Sequence, residues 1–376
     1  MPKFRPLMFP LALAVMAVVL YNARIRHEMP DFDVYRQAAM RSLHAEPLYR
    51  ADDGHYQFKY LPAFALAMAP AAMLDKDTAK MLWFALSLGL VAAFLRWSVV
   101  ALPDRRWSQR TLLWLAVVLM AKFIGHELTL GQTNLLLGVL LVAALLAIQI
   151  DHPLVAGALV GAAVFVKPYA LIVLPWLALT QGVAAAAVCL GVVAAGLALP
   201  AVVYGWAGNR DLLAGWYRTV TDSTAPNLLG NDNISLAAMW AKWIGSGDVA
   251  SALTAVSSVA ALGLVAIVWS RRRGLSTPEY LEFALLMLLI PLLSPQGWDY
   301  VLLLFAPAVI CLLDRWREVG GAWKRPLAAA LVLMCLTMFD VMGRELYGRF
   351  MEWSVVSVCA LVLAAGLVRV RWLKLA

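Results

Sequence analysis

The chain has 376 residues, 63% hydrophobic and 14% charged, with a mean hydropathy of +0.77. Soluble domains carry about 45–50% apolar and about 25% charged residues, so a water-soluble globule is excluded. The formal charge of +8 sits in short clusters beside apolar runs: Lys3 and Arg5, Arg271-Arg272-Arg273, Arg315 to Arg325, and Arg369 to Lys374. That is the pattern of cytoplasmic membrane loops, and nucleic-acid binding, which needs a basic face on a soluble domain, has no segment long enough to supply one.

Apolar runs fall near 6–22, 59–74, 81–102, 111–125, 133–150, 153–179, 182–203, 249–270, 279–296, 298–313, 326–340 and 353–370. A helix needs about 20 apolar residues to cross the hydrocarbon core, so these runs predict an all-α polytopic membrane protein with 11 to 13 crossings. A β-barrel is excluded because barrel strands alternate outward and inward residues, whereas these segments are apolar all round. No soluble domain separates the runs, and the expectation is one integral-membrane domain over residues 1–376. The first run, Pro6 to Tyr21, reads as an anchor, because no A-x-A site follows it. Cys189, Cys311, Cys335 and Cys359 lie inside apolar runs without metal-ligand spacing and read as core residues.

Placing the basic clusters in the cytoplasm puts the first loop, about 23–58, and the large loop, about 204–248, outside. The run at 59–74 leaves two options. If it crosses, Arg105-Arg106 lie outside and Gly131-Gln132 inside; if it is re-entrant, both invert, and Pro62 and Pro70 favour such a break.

Polar residues then stand out in chain order. Asp31 and Asp33 lie two apart just after the first span, a pairing that suits a general base, a metal ligand, or simply the start of a surface helix through Tyr35 and Leu43. Aromatic residues, Tyr60 among them, lead into the Pro62 span. Gly125-His126-Glu127 and Gly131-Gln132-Thr133-Asn134 interrupt two apolar runs and must be hydrogen-bonded at membrane depth. Lys167-Pro168 interrupts another, and an intramembrane Lys is a functional candidate suited to an anionic ligand. Asn231 to Ser235 and Ser294 to Tyr300 complete the set.

Taken in order, Asp31-x-x-Val34-Tyr35, Tyr60-x-Pro62, Gly131-Gln132-x-Asn134, Lys167-Pro168, Asn233-x-Ser235 and Ser294-Pro295-x-x-Trp298 resemble glycosyltransferase family 87, the DUF2029 group of the GT-C superfamily. The resemblance implies a membrane mannosyltransferase that moves a sugar from a polyprenyl-phosphate donor to a lipid or glycan acceptor with inversion, on the outer face of the cytoplasmic membrane. It implies Asp31 as general base with Asp33 as helper or spectator, and substrate contacts from Tyr35, Tyr60, Gln132, Asn134, Lys167, Asn233, Ser235, Trp298 and Asp299. It implies no cofactor, with any divalent-ion requirement open. Family members often carry histidine after the Ser-Pro-x-x-Trp motif, where this chain has Asp299 and Tyr300, and His126 or a first-loop arginine is the candidate substitute. The rival classes are a transporter or flippase of lipid-linked sugars, and a family member without catalysis. Repeated broken helices in matching halves, which would favour a transporter, are not visible.

Overall fold

The computed structural model describes residues 15–374. Lys3, Arg5 and the start of the first apolar run lie outside the described residues. The protein is all-α, and among the described residues four helices are long and apolar enough to cross a membrane, or five if one sharply bent pair counts as a single span. It is a multi-pass membrane protein.

After a helical stretch over 15–23, α1 (Pro30–Leu43) packs beneath the first loop. The next apolar run forms only α2 (Pro62–Ala67) and the four-residue turn Ala69–Ala72. At 1.5 Å per residue this is far short of the about 30 Å hydrocarbon core, so the run does not cross as a single helix. The prolines explain it, since Pro70 has no N–H to continue the ladder from α2.

Two full-length helices follow. α3 (Lys76–Val100) is capped by Asp75, which accepts a hydrogen bond from the Thr78 N–H at 3.0 Å, and α4 (Gln109–Leu130) by Ser108, which accepts from Thr111 at 3.1 Å. α4 ends at Gly131, whose φ of +69° only glycine adopts without strain. A side chain there would also meet Phe32 Cβ at 2.8 Å, so glycine lets α1 lie directly on the end of α4.

α5 (Asn134–Gln149) descends and α6 (Pro153–Val166) rises again. The apolar run 153–179 breaks at Lys167-Pro168, as its sequence predicts, but it does not continue upward. It reverses through a 3₁₀ turn over Pro168–Ile172 into α7 (Val173–Gln181), and α8 (Val183–Ala198) then runs parallel to α6. The parallel pairing is read from two glycines: a Cβ on Gly157 would lie 2.2 Å from the Ala185 carbonyl, and one on Gly161 2.8 Å from that of Cys189. Lys167 therefore stands at the crest of a helical hairpin. Close approach through small residues is how helices associate in lipid. Gly157→Val is expected to lower thermal stability by at least the about 1–3 kcal/mol of ordinary over-packing, because the obstacle is backbone; a melting curve in detergent matching wild type would contradict the pairing.

The predicted outer loop 204–248 is largely helical. α9 (Ala201–Leu228) bends 91° from α8, with Gly205 at φ +68° inside the bend, and α10 (Leu236–Ile244) follows. α11 (Asp248–Ser270) keeps only 11% of its apolar window buried, an outward apolar surface that suits lipid rather than water. α12 (Glu279–Leu293) is the opposite: every residue from Tyr280 to Leu292 is buried. A helix apolar on all sides belongs at the centre of a bundle, and this one is the central post. α13 (Ala306–Asp314), α14 (Gly321–Leu336), the short amphipathic α15 (Arg344–Glu352) and α16 (Val355–Trp372) close the bundle. Cys189, Cys311 and Cys359 are buried and Cys335 half-buried, all as free thiols.

Among the described residues, Arg106, Arg271, Arg272, Arg315 and Arg371 gather at one end of this bundle. The Arg106 and Trp107 N–H groups donate to Asp314 at 2.9–3.1 Å, and Arg315 donates to the Pro103 and Asp104 carbonyls at 2.9 Å. Arg371 donates to the Pro278 carbonyl at 2.6 Å, and Arg271 stacks on Trp372. Glu282, fully buried, is held by Trp176, Arg272 and Arg371. Removing one partner of such a buried charge typically costs about 3–5 kcal/mol, so this end is locked.

Candidate functional site

The opposite end of α4 carries the polar cluster. The helix that begins at Pro30 was anticipated, but Asp31 does not cap it. Met29 is the cap residue, in a left-handed conformation, and Pro30 takes the first turn. Released from capping, the Asp31 carboxylate accepts a hydrogen bond from Gln132 Nε2 at 2.7 Å, its only hydrogen-bond partner among the described residues. Gln132 follows the glycine turn of α4. That turn is fixed to α1 by the Met29 N–H donating to Thr129 O at 2.9 Å, and to α3 by Trp83 Nε1 donating to Gly131 O at 3.0 Å.

The other face of the Gln132 amide is equally determined. Its Oε1 accepts from Tyr35 at 3.2 Å and Tyr60 at 3.3 Å, and the two phenols are 2.7 Å apart. Two hydroxyl donors on the carbonyl end leave the N–H₂ end to face Asp31 and, at 3.5 Å, the Tyr300 hydroxyl. Tyr60 also reaches Thr133 Oγ1 at 3.2 Å. Lys167, on its hairpin crest, stands among the rings of Tyr60, Tyr169 and Tyr300 with Nζ 5.7–6.0 Å from their centroids. It has no ion pair or hydrogen bond among the described residues. The Tyr169 hydroxyl is buried there without a hydrogen-bond partner.

Burial raises the Asp31 pKa above the ordinary carboxylate range, because partial loss of water disfavours the anion. The Gln132 hydrogen bond and the Lys167 charge act in the other direction but do not cancel it. Asp31 is thus a stronger base than an exposed aspartate, still steadied in its charged form.

Asp31, Tyr35, Tyr60, Gln132 and Lys167 are brought together; the remaining residues singled out from the sequence lie elsewhere. Asp33 faces away and binds Lys76 and Lys80, each at 3.1 Å. Asn134 is fully buried and donates to Glu127 at 2.8 Å. Asn233 donates to the carbonyls of Asn227 and Pro295 at 3.2 and 3.0 Å and accepts from the Ser235 N–H at 3.1 Å. Ser235 caps α10 through the Ala238 N–H. Around them the Ile234 N–H donates to Gly297 O at 2.7 Å and the Asp299 N–H to Asp232 O at 2.9 Å. The Asn-x-Ser and Ser-Pro-x-x-Trp motifs are therefore two sides of one short backbone bridge, and Trp298 is half-buried against Gly230. Asp299 is buried, 3.0 Å from Lys122 Nζ, with His126 at 3.7 Å.

Sequence reasoning missed Lys122, hidden within an apolar run, and gave no weight to Tyr169 or Tyr300. Tyr169 was signalled only by adjoining Lys167-Pro168, and Tyr300 only by following the Trp298 motif. No group of three or more His, Cys, Asp or Glu side chains forms a metal-sized cluster among the described residues.

No curated protein and no solved structure matches the chain. The model of glycosyltransferase family 87 matches residues 58–295, more than half of the chain, including Tyr60, Gln132, Lys167 and the Asn233 turn. On that match and the membrane-embedded helical fold that carries it, the chain belongs to glycosyltransferase family 87.

Proposed function

We propose that this membrane glycosyltransferase moves a hexose, mannose by family resemblance, from a polyprenyl-phosphate donor to a hydroxyl of a lipid or glycan acceptor, with inversion and without a cofactor. The observation that carries the reading is the meeting, in one cluster, of a carboxylate of raised basicity and a lysine that makes no close ion pair among the described residues. In this reading Asp31 takes the proton of the acceptor hydroxyl as its oxygen bonds to the anomeric carbon. The bond from that carbon to the phosphate oxygen breaks on the opposite face, and the lipid phosphate leaves against Lys167. Gln132, aligned by Tyr35 and Tyr60, holds the Asp31 carboxylate and acts as a positioning residue.

The site is assigned to the outer face of the cytoplasmic membrane. Support comes from the basic clusters at the other end of α4, which the charge bias of membrane loops puts in the cytoplasm, and from the short helices of run 59–74, which suit the re-entrant option and with it an outer Gln132. Asp31, Gln132 and Lys167 gather at one end of the bundle, which favours transfer over transport.

The test is release of polyprenyl phosphate from polyprenyl-phosphate mannose by protein in lipid, in the presence of a mixed bacterial lipid extract. Release by wild type that is absent from Asp31→Asn supports the reading, and equal release by both overturns it. The pH profile offers a second check. Asp31 must be deprotonated to act, so kcat/KM falls as pH drops through its raised pKa. Gln132→Leu removes the donor that favours the anion, and the acidic limb is expected to move to higher pH. A limb that stays in place would remove Gln132 from the positioning role.

A further inference from the structure

The segment after α1 and the bent helix α9 enclose a cleft of about 270 Å³ lined by Ala45, Pro47, Tyr49, Tyr204, Asp211 and Arg218. We propose that this cleft is the saccharide subsite for the acceptor, holding the sugar next to the one whose hydroxyl is glycosylated; the inference rests on the glycosyltransferase reading above.

Four observations carry it. First, the cleft is built into α9 by sequence. Gly208, Asp211, Gly215 and Arg218 recur at three- and four-residue spacing, which places them on one helix face, and Tyr204 joins the lining from across the Gly205 kink. The two glycines strip that face of side chains. A Cβ on Gly215 would come within 3.1 Å of the Tyr49 ring, and one on Gly208 within 3.0 Å of Tyr204 Cβ.

Second, the facing wall is held in place. Ala45 keeps a left-handed φ of +53°, a conformation that costs an L-residue about 1–2 kcal/mol and persists only where its surroundings impose it. The Tyr204 hydroxyl donates to Glu46 O at 2.9 Å and Trp216 Nε1 to Lys59 O at 3.1 Å, so α9 and the first loop form one rigid unit.

Third, the chemistry suits a sugar. The half-buried Tyr49 and Tyr204 line the cleft, Tyr49 with its ring against Gly215 and Phe58, and supply apolar ring surface for the C–H side of a pyranose. The exposed Asp211 carboxylate and Arg218 guanidinium offer an acceptor and a donor for its hydroxyls; Asp211 is tied only loosely to Arg210 at 3.9 Å, and the Arg218 guanidinium has no partner among the described residues. The volume is near the lower end of small-molecule pockets, about 300–1,000 Å³, which suits one or two sugar rings better than a lipid tail or a folded partner.

Fourth, the cleft connects to the reaction site. The Tyr49 hydroxyl donates to Tyr60 O at 2.6 Å, and the Tyr60 hydroxyl bonds Gln132, which holds Asp31. Tyr49 thus links the cleft wall to the backbone of the tyrosine whose hydroxyl lines the Asp31 cluster.

The test uses full-length protein in lipid nanodiscs with two readouts. The first is retention, without donor, on an array of α- and β-linked di- and trisaccharides. The second is release of polyprenyl phosphate to water from polyprenyl-phosphate mannose. Wild type is expected to be retained on a subset of the saccharides. The double variant Asp211→Ala, Arg218→Ala removes two exposed side chains outside the reacting cluster, and it is expected to lose about ten-fold or more in retention, the scale of one charged hydrogen bond, with donor release within about two-fold of wild type. Absence of retention on every saccharide, or retention indifferent to the double variant, overturns the cleft assignment while leaving the donor reading intact. Donor release that does not depend on Asp31 overturns that reading and is told apart by retention, which needs no donor.

Discussion

Asp31→Asn is expected to lower sugar transfer by about 10²–10⁴-fold, the usual contribution of a positioned general base, while expression, membrane insertion and melting temperature stay near wild type. The prediction is sharp because the substitution changes little else. The carboxamide has nearly the shape of the carboxylate, its oxygen can still accept the Gln132 N–H at the 2.7 Å position, and no cap or ion pair of α1 depends on Asp31. The loss should fall on kcat, since a base removes its proton only in the transition state. Asp33→Asn provides the internal comparison. Its carboxylate serves Lys76 and Lys80, so transfer should persist and stability should fall modestly. Equal loss in both variants would argue for a paired-carboxylate site rather than a single base.

Lys167→Met is expected to weaken donor binding by about 10–100-fold, which corresponds to one hydrogen bond to a charged group at about 1.5–3 kcal/mol. Methionine keeps the apolar stem among the Tyr60, Tyr169 and Tyr300 rings and removes only the ammonium. The measurement is donor affinity by titration against inactive Asp31→Asn protein, so that turnover does not deplete the ligand. Lys167→Arg should recover part of the loss, since a guanidinium also meets phosphate. A Lys167→Met protein that fails to accumulate, with unchanged affinity in what remains, would make Lys167 structural.

Much of this architecture could be read from the sequence because lipid leaves few alternatives. Apolar runs must be helical, and the runs that became α3, α4, α11 and α16 were legible as such. What could not be read was where an apolar run turns. The run at 153–179 looks like one span with a charge in its middle; its reversal depends on the glycine contacts between α6 and α8, which are 28 residues apart in the chain. Lys167 consequently looked like the middle of a span, whereas it stands at the crest of the hairpin. The order of short motifs pointed to Asp31, Tyr35, Tyr60, Gln132 and Lys167, which share a cluster. The same order could not separate these from Asn233 and Ser235, because a residue that braces a turn and one that lines a site leave the same mark in a single sequence. Lys122 was invisible: its partner Asp299 is 177 positions away, and only the packed bundle brings the two charges together.

The end of α4 has one more implication. This helix of 22 residues, about 33 Å long, begins at the locked basic end and terminates in the turn that presents Gln132 to Asp31. It acts as a ruler between the two membrane surfaces. The depth of the Asp31 carboxylate is therefore expected to follow the far interface, so that a thicker bilayer draws it below the headgroups and a thinner one lifts it towards water. On the proposed mechanism, transfer is expected to vary with acyl-chain length, because donor phosphate and acceptor hydroxyl would ride with the lipid surface while Asp31 would not.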